Sequence, residues 1–376
     1  MTRDLLVELK GVYGMFRKHG WLLFLLVAFL TVGCALGSEA VPGRETIEVT
    51  DSTGHTLALE GLPERVVIAG KATVMVQDTV FLFEEAEERV VALENRKQSA
   101  FSFLPVVDPG LEEKEMLEMN AGPEQITAVQ PDLVIMKNFL AESLGAPLED
   151  LGIATLYLNL ENPEVFYQDV KALGKVFGAP ERAEEIVVFY QDRVDKVEAM
   201  TADLEEGEKP RVLVLEYSDR GGETAFSVPP VSWLQTRMVE LAGGIPVWRE
   251  LEASGGWTIV TLDQIAAWDP DQIFIIDYQG NADQVTENLR EDPIWRNLRA
   301  VQNDQLFAFA FDFYSWDQPD TRWILGLQWL STKIQPELTS DIDIRAEVQA
   351  FYQTLYRMDE AAVQDEVMPL LRGDIQ

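Results

Sequence analysis

Two carboxylates stand at the same place in a segment that the chain writes twice. Glu124 opens PEQITAVQPDLVI and Asp263 opens LDQIAAWDPDQIFI, each followed by a short helical pattern, a Pro-Asp step and an apolar strand pattern. Pro123 suits the first helical position and Thr261 the N-cap, which puts both acids at about the second position, beside the positive end of the helix. A carboxylate there contributes about 0.3–1 kcal/mol. Helix stabilisation therefore accounts for either acid alone, and leaves open why acid, turn and strand recur together.

Other reactive or ligand-binding side chains fall in loops after apolar β-rich runs. AGKATV after RVVI carries Lys71, MKNF after DLVI carries Lys137 and Asn138, and EYSDRGG after RVLVL carries Tyr217 and Arg220. VWRELEASGGWTI brings Arg249 and Trp257, and FDFYSWDQPD after QLFAFA brings Tyr314 and Trp316, while ENRKQS and DYQGN follow RVVAL and DQIFII. In open α/β sheets ligands bind beyond the carboxyl ends of the strands, where these loops lie. The cations suit an anionic ligand, although a solvated lysine or arginine is the plain alternative for each. The aromatics, above all Tyr314 and Trp316 in a polar loop, suit a large planar or chelated one. Trp323 and Trp329 read instead as buried helix faces, and Trp295 as a turn residue.

The chain holds His19 and His55 as its histidines. A bare zinc or manganese site usually takes several imidazoles, so a metal is expected inside a chelate rather than on protein ligands. A Gly-rich phosphate loop, a Gly-x-Ser-x-Gly elbow and a histidine able to activate a nucleophile in the body of the chain are all missing from the sequence. The expected class is a binding protein with no catalytic residues and no cofactor. A chelatase-like enzyme is the weaker alternative.

The amino terminus has another pattern. Arg3, Lys10, Arg17 and Lys18 precede the apolar run WLLFLLVAFLTV, which ends in TVGC at Cys34, the single cysteine. The run is shorter than the roughly 20 residues that span a bilayer and has the length of a signal-peptide core. TVGC resembles the lipobox of bacterial lipoproteins, with Thr31 where leucine is usual. Residues 1–33 are thus expected to be a signal peptide and Cys34 the lipidated residue. Residues 34–46, ALGSEAVPGRET and its preceding cysteine, form a small-residue tether. The formal net charge of −34 argues against nucleic acid and against lying flat on anionic lipid.

These side chains need elements to position them. The 376 residues, 47% hydrophobic and 25% charged, can fill two cores. TIEVTDSTGHTLAL alternates around a turn and predicts a hairpin; RVVIAG, RVVALE, DLVIMK and ATLYLN predict strands separated by helices, hence a parallel sheet. NPEVFYQDVKALGKVFG predicts one helix, and a second runs from Pro180 to about Glu206, about 40 Å at 1.5 Å per residue. After Pro210 the alternation restarts. The expected domains are an amino-terminal α/β lobe at 47–162, an interlobe helical segment at 163–207 and a carboxy-terminal α/β lobe at 208–376.

Five segments in order, IEVTDSTGHTLALEGLPERVVIAG, GPEQITAVQPDLVI, NPEVFYQDVKALGKVFGAPERAEEI, TLDQIAAWDPDQIFI and DPIWRNLRAVQNDQLFAF, resemble the periplasmic-binding lipoproteins of ABC importers for ferric siderophores, haem and cobalamin. The resemblance implies two Rossmann-like lobes joined by one long rigid helix, a ligand cleft between them and small closure on ligand. It implies that Glu124 and Asp263 dock on arginines of a permease dimer coupled to its ATPase. The cargo it implies is a small-molecule metal chelate, first a ferric siderophore, with haem, cobalamin, molybdate and tungstate as relatives' cargoes. It implies an exported monomer anchored by lipid on Cys34 to the cell membrane, facing the periplasm or the cell exterior.

Overall fold

The structure is a computed structural model that describes residues 46–95, 101–251 and 255–375. The readings of residues 1–33, of Cys34 and of the tether up to Glu45 lie outside the described residues. Among those described, no helix is long and apolar enough to cross a membrane.

β1 (Ile47–Thr50) and β2 (Thr56–Leu59) form the expected antiparallel hairpin, Ile47 opposite Leu59. A five-stranded parallel sheet follows, built from β3 (Val66–Ile68), β4 (Val90–Glu94), β5 (Glu115–Leu117), β6 (Leu133–Lys137) and β7 (Ala154–Leu158) in the order β5-β4-β3-β6-β7. Its central strands are buried on both faces, as a parallel sheet requires. The edge strand β5 has no counterpart in the sequence reading, because three residues with Glu115 and Met116 exposed leave no apolar pattern to see.

The second sheet has the order β11-β9-β8-β12-β13, with β10 (Ile245–Pro246) also against β8. β8 (Arg211–Ser218), β12 (Gln272–Ile276) and β13 (Leu306–Ala308) are parallel. β9 (Ala225–Val228) and β11 (Thr258–Val260) extend it antiparallel, a departure from the all-parallel expectation. The cause is the connection: β8 turns into β9 through Arg220–Gly222, with Gly221 and Gly222 at positive φ, and so short a link cannot cross over to a parallel partner.

The helices of six residues or more are α1 (Thr73–Val80), α2 (Pro123–Ala128), α3 (Pro163–Phe177), α4 (Pro180–Thr201), α5 (Leu234–Leu241), α6 (Leu262–Trp268), α7 (Ala282–Glu291), α8 (Trp323–Ile334) and α9 (Ile344–Tyr356). Asn162 caps α3 by accepting from Val165 N at 2.9 Å. The long helix α4 has 22 residues, about 33 Å, and stops at Thr201 rather than near Glu206. Thr201 Oγ1 turns back to the carbonyls of Val197 (3.1 Å) and Leu241 (3.2 Å), and Glu205–Glu208 closes a separate turn with Glu205 N on Glu208 Oε2 at 2.9 Å.

α4 is held by both halves of the chain. Tyr190 packs on Phe166 at 4.6 Å and on Trp323 at 5.2 Å, Arg182 donates to the carbonyls of Thr354 (3.0 Å) and Leu355 (2.8 Å), and Arg193 pairs with Glu347 at 2.8 Å. Thr46–Gln376 packs as one unit. Its main apolar core runs from Val49 through α4 to Val367, and a smaller cluster with Val67, Ile126, Val134 and Tyr157 covers the other face of the first sheet. The fold is α/β, two sheet-centred lobes sharing a core along the long helix.

Candidate functional site

The duplicated segment is duplicated in structure. Glu124 is the second residue of α2 and Asp263 the second of α6, and both are exposed. Each helix ends in a left-handed residue before the proline, Gln130 at φ 51° and Asp269 at φ 43°. The Pro-Asp carboxylate then grips the start of the lobe's first strand: Asp132 accepts from Glu64 N (2.8 Å) and Arg65 N (2.9 Å), and Asp271 accepts from Arg211 N (2.8 Å). Each arginine returns the contact, Arg65 to the carbonyls of Val129 (2.7 Å) and Gln130 (3.0 Å), Arg211 to that of Trp268 (2.7 Å). The Pro-Asp step is a structural clamp. The exposed acids at the other end of each helix take no part in it.

A cleft of about 470 Å3 lies at the carboxyl ends of the strands. The first half of the chain contributes Ala72, Met75, Lys137, Phe139 and Glu161; the second contributes Arg220, Trp233, Gln235, Trp257 and Tyr278, with Gln279, Gln318 and Pro319 at its edge. Gly70 aims α1 into this wall. It sits at φ 97°, its N–H donates to Glu94 Oε2 at 2.6 Å, and a Cβ there would stand 2.2 Å from Leu140 Cδ1, so the turn admits glycine only.

Of the residues picked from sequence, Lys137, Arg220 and Trp257 line the cleft. Lys137 is 1% exposed, with Nζ on the carbonyl of Asn159 and 2.9 Å from Glu161 Oε1, so its charge is already matched. Arg220 is exposed, and its guanidinium forms no ion pair with another described residue. Trp257 stands edge-on to Trp233 at 6.0 Å and to Tyr278 at 6.2 Å, giving a wall of three rings with Trp257 steep to the other two.

The others lie elsewhere. Lys71 is exposed one residue before Ala72, Asn138 is half-buried between two lining residues, and Tyr217 packs on Phe226 at 5.8 Å. Arg249 is at the opposite end of the second sheet, in a groove with Arg211 and Trp268 and 3.7 Å from Glu206, because its segment runs back beside the start of β8. Tyr314 and Trp316 are 5% and 0% exposed and do not line the cleft. Their polar neighbours mislead: Asp312, Asp317 and Asp320 face inward on protein partners, and the Trp316 carbonyl lies against Gly326 of α8, where a Cβ would be 2.2 Å away.

The loop from Asp312 to Arg322 underlies the cleft. Asp317 is buried and accepts from Tyr278 Oη (2.8 Å), Gln235 Nε2 (3.0 Å) and Ser315 Oγ, fixing two lining residues. Burial pushes its carboxyl up, against the pull of these donors, and burial beside Asp317 holds the Tyr278 hydroxyl well above its usual value. Behind it, buried Arg322 contacts Asp78 of α1, Asp312 at 2.8 Å and Asp320 at 3.2 Å, and donates to Tyr352 Oη at 3.0 Å. Arg322 does not offset the cost of burying two of these acids: burial pushes Asp320 up to about 8 and Asp78 up to about 6.

The missed lining residues had partial signals. Phe139, Tyr278, Gln279, Gln318 and Pro319 lie in the loops picked from sequence, but Glu161, Trp233, Gln235 and Met75 sit on helices or their approaches, outside those loops.

Two α/β lobes, a shared long helix and an aromatic-walled cleft at the strand ends define a two-lobed solute-binding protein. Residues 69–312 match the periplasmic binding protein family, and the chain belongs to that family. It is similar to the molybdate-binding protein MolA of Haemophilus influenzae, 21% identical over 89% of this chain and 98% of that protein. The structure of MolA bound to molybdate matches at TM-score 0.68, with 19% identity over 83% of this chain and 98% of that one. The iron-uptake system-binding protein of Bacillus subtilis is 20% identical over 77% of this chain and 90% of its own length. A periplasmic solute-binding protein from Veillonella parvula matches at TM-score 0.69, with 23% identity over 86% of this chain and 97% of that one. As a member of that family the chain is a periplasmic binding protein and not an enzyme.

Proposed function

We propose that the protein captures a ferric siderophore and hands it to an ABC importer. The observation that carries this is the wall of Trp233, Trp257 and Tyr278, with Met75 and Phe139 also lining a cleft of about 470 Å3 and Arg220 as its exposed cation. Clefts of about 300–1,000 Å3 with apolar walls and few polar groups suit organic ligands. A ferric chelate presents an organic shell, and rings on several sides can enclose it. The name of MolA raises molybdate, and tungstate with it, but a small oxyanion needs several converging donors. The lining offers one free guanidinium, because Glu161 occupies Lys137.

The delivery half of the proposal rests on the exposed Glu124 and Asp263, one handle per lobe for a two-fold permease dimer and its ATPase. The remaining parts are lipidation at Cys34, a tether to 46, lobes at 47–162 and 208–376 with the helical segment 163–207 between them, and action as a monomer. The test is a titration of tryptophan fluorescence in the full chain, held in detergent, with ferrioxamine B, haemin, cyanocobalamin and sodium molybdate. Saturable quenching by the ferric chelate is expected. Tight molybdate binding with no response to ferric chelates would sink the cargo reading.

A further inference from the structure

Gln235 lies in the cleft wall at 2% exposure, and its two polar ends have different fates. Nε2 donates to Asp317 Oδ2 at 3.0 Å, and the same oxygen accepts from Tyr278 Oη at 2.8 Å. A carboxylate accepts and cannot donate, so the amide is held with its nitrogen toward Asp317. Oε1 is then the end left over, and it is buried without a partner among the described residues. A buried carbonyl oxygen without a donor costs about 1–3 kcal/mol, and native structures seldom keep one without a use.

We infer that Asp317 is a positioning residue for cargo selection: by holding the Gln235 nitrogen, it leaves the buried Gln235 oxygen as the one end of the amide that an N–H or O–H group of the cargo can satisfy when the cleft wall shifts to receive it. The inference rests on the cargo reading above and sharpens it. Ligands carrying amide N–H groups around the metal satisfy Oε1. Molybdate, tungstate and ferric citrate, whose peripheries are acceptor oxygens, set one acceptor against another.

Asp317→Asn tests the orientation directly. An asparagine whose oxygen still accepts from Ser315 Oγ places its nitrogen where Oδ2 stood, donating to Gln235 Oε1 and to Tyr278 Oη, which reverses the glutamine and turns Nε2 to the cargo. Affinities for ferrioxamine B, which carries amide N–H groups, and for ferric citrate are measured by calorimetry on the full chain in detergent. For Asp317→Asn the ratio of the two should move about tenfold toward citrate, about 1.4 kcal/mol. Gln235→Leu should weaken ferrioxamine B about tenfold with no gain for citrate. A structural role alone would weaken both ligands together, and that result for both variants overturns the inference. Should Asp317→Asn fail to fold, Gln235→Met carries the same test through the ferrioxamine-to-citrate ratio. If wild type binds ferrioxamine B and the ratio stays fixed in every variant, the inference falls alone. Preference of the wild type for molybdate over both chelates removes the cargo reading and the inference with it.

Discussion

Arg220 and Trp257 reach the cleft from different loops and offer different things to a ferric chelate, so their loss should read differently. Trp257 touches both Trp233 and Tyr278, and Trp257→Ala removes the middle of the wall. Aromatic contacts contribute about 0.5–1.5 kcal/mol beyond area burial, so the weakening should be about tenfold or more and nearly independent of salt. Arg220→Ala should weaken only anionic chelates, and by less as ionic strength rises, because the group is exposed and screened. Titrations of one neutral and one anionic chelate at low and high salt check both; equal salt dependence for the two variants would refute the assignment. Loop position showed both residues in the sequence. It also suggested Tyr314 and Trp316, which the inward-facing aspartates draw into the core, and it was silent on Gln235, whose role depends on Asp317 across 82 residues of chain.

At the scale of elements, the repeated helix does two jobs at its two ends. Its carboxyl end is a clamp, with Asp132 and Asp271 holding the strands that begin at Arg65 and Arg211. Its amino end exposes Glu124 in one lobe and Asp263 in the other. Capping cannot account for both acids equally: Thr261 already serves Gln264 N at 3.2 Å beneath Asp263, while Gly122 offers α2 no side chain. If the acids are handles, Glu124→Ala with Asp263→Ala should abolish uptake in cells while chelate affinity changes less than twofold and stability falls by no more than about 1–2 kcal/mol. A large loss of affinity in the purified double variant would reject the docking role. The helix, the Pro-Asp step and the strand were all legible, because punctuation residues act locally. The short strands β5, β9 and β11 were not, because short pairings are decided by what the rest of the sheet leaves open.

The whole molecule carries the last consequence. Around Arg322, carboxyls from α1 and from the 312–322 loop gather in a core that both lobes share, where Tyr352 Oη donates to the Asp312 carboxylate and Tyr356 Oη to the Asp78 backbone carbonyl. Asp320 and Asp78, pushed up to about 8 and about 6 by burial, and Asp169, pushed up to about 6 for the same reason, keep protons in the folded state that the unfolded chain releases near 3.8. Between those values the native state binds more protons, so the stability from these groups is fully present below about pH 4 and is lost as pH rises toward 8. The net charge of −34 acts in the same direction, since repulsion among exposed carboxylates is complete well before pH 8. The melting temperature should therefore fall from pH 5 to pH 8, instead of holding level as for a protein stabilised by ionised, paired carboxylates. Asp320→Asn keeps one acceptor for Arg322 and removes the titrating proton, so it should flatten the slope between pH 6 and pH 8 and leave the behaviour below pH 5 unchanged. A melting temperature that rises over this interval would show that these acids are ionised in the fold, with Arg322 balancing Asp320 and Asp78 after all. A flat slope in wild type and variant alike would mean that the protons sit elsewhere.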